Sequence, residues 1–135
     1  MNTRTWMAAV AATCLLGLAG PAAATGQISC RAVDDEASGF DLTIGSVPGF
    51  ALVNFYGTGF GKSWAMHATD DDIEVSIAQA AQDGGWIIVD MVDTNFEQIL
   101  VSIRLHEASE ADSFATAGTM RVAGEGVLAV VCEGS

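Results

Sequence analysis

Basic residues are scarce in this chain: five Lys and Arg stand against 17 Asp and Glu, a net charge of −12. Arg4 lies in the first 24 residues and no acid does. The remainder therefore sets Arg31, Lys62, Arg104 and Arg121 against all 17 acids, a net of −13. That balance argues against a nucleic-acid partner, whose phosphates must be met by Lys and Arg. It also opposes docking on an anionic membrane surface. What it favours is solubility, or encounter with a cationic protein steered by long-range attraction.

Other absences narrow the reading further. No Pro/Ser-rich linker divides the chain, which has two prolines in all, and no internal repeat is visible. About 111 residues follow position 24, enough for one domain that buries roughly two-thirds of the surface its unfolded chain exposes. No G-x-S-x-G elbow is present to carry a serine nucleophile. Beyond the first 24 residues there is no apolar run of the roughly 20 residues needed to cross a bilayer. Only Cys30 and Cys132 remain after that point, and neither has a second cysteine or a histidine at zinc-ligand spacing.

Residues 1–24, MNTRTWMAAVAATCLLGLAGPAAA, have the layout of a secretory signal peptide. Arg4 opens a short n-region, an apolar core runs from Met7 to Leu18, and Ala22 and Ala24 supply small residues at a cleavage site after Ala24. The expectation is an exported protein, periplasmic or secreted, with a single domain over residues 25–135. In an oxidising compartment the two remaining cysteines, near the two ends of that domain, are expected to form a disulfide.

The stretch NFYGTGFGKSW, residues 54–64, echoes a phosphate-binding loop in Gly61-Lys62-Ser63. The pattern G-x-x-x-x-G-K-[ST] needs a glycine where this chain has Tyr56. Such a loop should also open a helix facing the phosphates, whereas SWAMHATDDD runs into acids that repel them. The reading adopted is a glycine-rich turn in which Gly57, Gly59 and Gly61 permit positive φ, with no nucleotide and no other cofactor.

Short alternating runs dominate the chain beyond residue 38. FDLTI sets Phe40, Leu42 and Ile44 against Asp41 and Thr43, the period of a half-buried strand. ALVNFY reads as a strand with Ala51, Val53 and Phe55 on one face, and KSWAMHA as one with Trp64 and Met66 together. QILVSIRLH offers Ile99, Val101, Ile103 and Leu105 as an apolar face. TMRV and VLAVVC flank a short glycine-containing connection of the hairpin kind. Residues 70–82 carry both strand alternation and helix punctuation. The strand is favoured, paired with WIIVDMV across Gly84-Gly85, because Ile73, Val75 and Ile77 alternate. Residues 106–118 read as a long acidic loop. The fold expected is all-β: a small antiparallel barrel, or alternatively a sandwich, of about eight or nine strands with one disulfide.

Candidate chemistry is thin. His67, Asp70, Asp72 and Glu74 form the densest polar cluster and are the weak metal candidates, although the EF-hand spacing fails from Asp70 onward. Asp34-Asp35-Glu36 reads as a solvated acid run. His67 and His106 fall on outer strand faces. Phe50, Tyr56, Phe60, Trp64 and Trp86 flank glycine-rich turns, where some of them could cluster at one end of a barrel, and of the aromatics Trp64 and Phe55 are assigned to the core. Tyr56 and Phe60, with Lys62, are the candidate contact surface, because aromatics are enriched at interface hot spots.

In size, acidity and the placement of one cysteine near each end, the chain resembles the small periplasmic lysozyme-inhibitor barrels. That resemblance implies an exported barrel that acts by binding. The serine-glycine signature ending in tyrosine is absent, GKSW being no substitute, so no functional residue is carried over. The expected function is a non-catalytic binding or accessory protein of the cell envelope. The alternatives are an inhibitor of a cationic hydrolase such as lysozyme, for which the charge speaks, and a metal-dependent or acid-base enzyme, for which only residues 67–74 speak.

Overall fold

A computed structural model describes residues 26–133; the expected signal peptide lies outside the described residues. The described chain is all-β, with strands β1 (Gly26–Ala32), β2 (Gly39–Ile44), β3 (Leu52–Gly59), β4 (Lys62–Ala65) and β5 (Ile73–Glu74) in its first half. The second half contributes β6 (Ser76–Asp83), β7 (Trp86–Val92), β8 (Ile99–Glu110), β9 (Ser113–Val122) and β10 (Gly126–Glu133). Residues 70–82 contain no helix: after an acidic turn they form β5 and β6. Ten strands replace the expected eight or nine because β5 is only two residues long and breaks from β6 at Val75. Among the described residues no helix is long and apolar enough to cross a membrane.

All ten strands form one sheet in the order β5-β4-β3-β2-β1-β10-β9-β8-β7-β6. Its two ends, β5 and β6, are joined covalently through Val75, so the sheet curls into a nearly closed barrel. First and last strands pair antiparallel, with Cys30 directly opposite Cys132, and the disulfide between them spans 102 residues of sequence. The expected bridge is thus present, in the form an oxidising compartment supports. Across the other seam β4 and β5 pair in parallel over Trp64↔Ile73 and Ala65↔Glu74, extended by the Val75 N–H donating to the Ala65 carbonyl at 3.0 Å.

Alternation fills the interior. Phe40, Leu42, Phe55, Trp64, Ile87, Val89, Met91, Val101, Ile103, Leu105 and Met120 are buried in one cluster, since successive strand residues point to opposite faces. Phe55 and Trp64 are in the core, as their sequence context suggests. On β3 the expected face is wrong below Phe55. The register shifts between Thr43 and Ile44, which pair with Asn54 and Leu52, so Leu52 turns inward and Val53 is exposed. A bulge of this kind inserts one unpaired residue and reverses the alternation on one side of it.

The glycine-rich stretch also differs from expectation. Only Gly61 of its three glycines has positive φ, at 72°, and it shares the turn with Phe60 at 53°. Two central residues with positive φ make the hairpin turn whose twist matches its strands. Gly57 lies within β3 and faces inward, where a Cβ would come within 2.7 Å of the Phe55 ring and 3.2 Å of Met120. Its role is to leave room for those side chains. Gly118 is tighter still, because a Cβ there would lie 1.9 Å from the Arg104 carbonyl oxygen, so β8 and β9 approach closely where the barrel wall bends.

Residues 106–118 are not a loop. They form the outer part of the β8–β9 hairpin, paired down to Glu110↔Ser113. Beyond the buried Thr116 this ribbon runs past the end of the barrel with residues 106–115 all exposed, so no apolar alternation marks it in the sequence.

Candidate functional site

The strand ends divide the barrel into an upper rim and a lower one. At the upper rim the Phe60 ring packs over Gly126, where any Cβ would come within 3.1 Å of it. Lys62 forms an ion pair with Glu125 there, above a hollow of about 190 Å³ lined by Trp64, Ile73, Leu100 and Val122. The pair spans from β4 to the β9–β10 turn. Of the contact surface expected from sequence, Phe60 and Lys62 come together at this rim. Tyr56 does not join them: it sits on the outer wall within β3, 41% exposed and opposite Asp41 and Ala65.

The expected metal candidates do not converge. Among the described residues no group of three His, Cys, Asp or Glu side chains is placed to hold a metal ion. Asp72 instead orders its own turn, accepting hydrogen bonds from the Ser63 hydroxyl at 2.6 Å and from the Thr69 N–H and hydroxyl at 3.0 Å each. The Ser63 hydroxyl first, then the Thr69 backbone, hold the Asp72 carboxyl below its ordinary value against the opposing effect of desolvation. Asp35 does the same for the turn of residues 33–38, accepting from the Ala37 N–H and the Ser38 hydroxyl. His106 packs edge-on against Trp86, with ring centroids 4.6 Å apart, and His67 is exposed on the loop after β4.

Arg104 and Asp90 form a two-pronged ion pair. The guanidinium donates to both carboxylate oxygens at 2.8 and 3.1 Å, and also to the Ile103 carbonyl. Asp90 is 5% exposed on the outer wall, so this pair is structural: it settles a carboxylate that burial would otherwise penalise.

The lower end is different in kind. An apolar cavity of about 210 Å³ opens there, walled by Ile28, Ile44, Phe50 and Ile87, with Gln82 and Glu107 also lining it. Five elements contribute: the start of β1, the end of β2, the loop before β3, the β6–β7 hairpin and the base of the β8–β9 ribbon. The ribbon is fixed there by the Glu107 N–H donating to the Gly85 carbonyl at 2.8 Å. Glu107 is the single charged residue of the lining, and no ion pair spans the opening among the described residues.

The wall beside this cavity is incomplete. β4 ends at Ala65, and the Met66 N–H donating to the Phe55 carbonyl at 3.2 Å is the last bond on that side of β3. Lower down, β6 has β7 on one side and, among the described residues, no strand on the other. The two-residue Gly84-Gly85 turn makes Asp83↔Trp86 a hydrogen-bonded pair. Alternation then places Ala81 toward β7, and turns the N–H and C=O groups of Ala80 and Gln82 away from it. The sequence marked none of Ile28, Gln82 and Glu107, which are brought together with Phe50, an aromatic beside a glycine-containing turn, only by the barrel's closure.

No family model matches the chain, and no curated protein or solved structure is significantly similar to it.

Proposed function

We propose that the protein is an exported, non-catalytic binding protein of the cell envelope that receives an apolar group of its ligand in the lower end of the barrel. The observation that carries this reading is the cavity of about 210 Å³, apolar on four sides, at an open strand end. Binding sites are commonly concave, mostly apolar and furnished with a few polar groups, and Gln82 and Glu107 are such groups here. A dry apolar cavity of about 150 Å³ already holds benzene, so this one has room for a substituted ring or a branched alkyl group. The signal-like residues 1–24 and the Cys30–Cys132 bridge both support export.

Toluene tests the reading. It is expected to raise the melting temperature of the protein progressively with toluene concentration, as the logarithm of one plus concentration over Kd, and to lose that effect in Ile44→Phe, where the added ring volume fills the cavity. An unchanged melting temperature in the parent protein, or an equal shift in Ile44→Phe, overturns it.

A second reading, an inhibitor of a cationic hydrolase, is favoured by charge. Three of the four described cations, Arg31, Lys62 and Arg104, are engaged with Asp41, Glu125 and Asp90. Arg121 alone then remains against fourteen acids. Micromolar inhibition of cationic lysozymes at low salt supports this reading, and its absence removes it.

A further inference from the structure

We propose that the lower seam of the barrel is a strand-addition site, where an extended, basic polypeptide segment pairs with the free edge of β6 and places one apolar side chain in the cavity. This rests on the reading of the cavity as the binding site and names its partner.

Two independent features meet at the seam. The first is the edge itself. Natural sheets protect exposed edges with Lys, Pro or a covering element. β6 reads SIAQAAQD, with neither Lys nor Pro, and among the described residues no strand covers it on the seam side. Ala80 and Gln82 therefore offer two N–H and two C=O groups in the spacing that an added strand uses. The second is the cavity, whose lining includes Gln82 of that same edge and, from the chain just before β3, Phe50.

Register connects them. Residues directly opposite each other in a ladder point to the same face, and Gln82 points to the cavity. The ligand residue that exchanges hydrogen bonds with Gln82 therefore projects its side chain into the same space. With about 210 Å³ between Ile28, Ile44, Phe50 and Ile87, a phenyl or isobutyl side chain fits. Main-chain bonds supply the docking and the single pocket supplies the selection, the division of labour usual in strand addition.

Charge decides the partner. Asp83 ends β6, Glu107 lines the opening, and Glu74 with Asp70, Asp71 and Asp72 lies along the upper part of the seam. A second copy of this chain would bring the same negative field and be repelled. A segment with Lys or Arg on the alternate, outward-facing positions is attracted, and the attraction weakens with salt.

The test uses the whole processed protein and the synthetic peptide acetyl-KVKFKVK-amide, with binding read by calorimetry. Three altered peptides accompany it: one methylated on the phenylalanine nitrogen, one with that residue replaced by glutamine, and the acidic EVEFEVE. The parent peptide is expected to bind, and each alteration to weaken it at least tenfold. Gln82→Pro removes one edge N–H at a position where edge strands tolerate proline, and it is expected to weaken the parent peptide by a similar factor. The methylated peptide keeps the test decisive should that variant not fold. Equal binding of parent and methylated peptides overturns strand addition, since simple electrostatic coating does not need the amide. Equal binding of the glutamine peptide overturns the cavity anchor. Toluene binding without peptide binding refutes this inference alone, whereas failure of both also removes the proposed binding function. A dimer in sedimentation at low salt, broken by Gln82→Pro, identifies a second copy as the occupant and overturns the basic partner.

Discussion

Breaking the bridge between Cys30 and Cys132 should cost this protein a large part of its stability. The two residues are 102 apart in sequence and directly opposite on the β1–β10 ladder, the antiparallel seam that joins the two ends of the domain. In the reduced unfolded chain that entire loop is free to open. The loop-entropy relation assigns about 4.7 kcal/mol to a closure of this length. For a domain of this size a urea slope of roughly 1.5 kcal/mol/M is reasonable, so reduction should lower the unfolding midpoint by roughly 3 M. The comparison is made on one sample, oxidised and then reduced, with Cys30→Ser/Cys132→Ser as a check free of reductant. Far-UV circular dichroism before denaturation establishes that the sheet is retained. Midpoints within about 0.3 M of each other, less than 0.5 kcal/mol at that slope, refute the reasoning, because a bridge enclosing nearly the whole domain cannot leave the unfolded ensemble unconstrained.

Two smaller perturbations probe the wall and the acidic turn. Gly118→Ala places a Cβ 1.9 Å from the Arg104 carbonyl oxygen and 2.9 Å from the Leu105 Cα. Backbone on both sides must move, so a loss of about 3 kcal/mol is expected in urea melts, the upper end of overpacking costs; a loss below about 0.5 kcal/mol refutes the close approach. Asp72 is held below its ordinary value of 3.8, chiefly by the Ser63 hydroxyl. A depressed carboxyl stabilises the fold above its unfolded value and loses that contribution as pH falls through the folded one. Carboxyl NMR should therefore show Asp72 titrating below 3.8, and rising in Ser63→Ala; an unmoved titration in that variant contradicts the assignment.

Much of the barrel was legible because burial leaves a period. FDLTI and QILVSIRLH turn one face to a packed interior, and alternation reports that directly, although the shift that pairs Val92 with Ile99 leaves Ile99 exposed; WIIVDMV, a continuous apolar run, reads as a strand from its composition. The bridge was legible from the expected compartment and the count, since two cysteines near opposite ends of a domain expected to be exported have few other uses. What escaped was structure whose cause lies outside its own segment. The shift of β3 against β2 exposes Val53 and buries Leu52, a choice the consecutive apolar residues Ala51, Leu52 and Val53 leave open in the sequence. The outer β8–β9 ribbon is paired yet exposed on both faces over residues 106–115, so residues 106–118 carry no apolar period and read as a loop. Tyr56 stands beside the glycines in sequence but points away from Phe60 and Lys62, because pairing extends β3 through Gly59. The candidate site was illegible for the same reason: Ile28, Ile44, Phe50, Gln82, Ile87 and Glu107 come from strand ends far apart in the chain, and only closure of the sheet makes them neighbours.

Ligand binding at the lower end of the barrel is the central claim. Backbone amide chemical shifts of the labelled protein, recorded while acetyl-KVKFKVK-amide is added, test it directly. The expected result is a contiguous set of changes at Ala80, Gln82 and Ile87, at Ile28 and Ile44 across the cavity, and at Phe50 beside the seam, with the Ala80 and Gln82 amides becoming slow to exchange with solvent. Changes centred on Phe60, Lys62 and Glu125 at the upper rim, with the β6 amides unmoved, would contradict it.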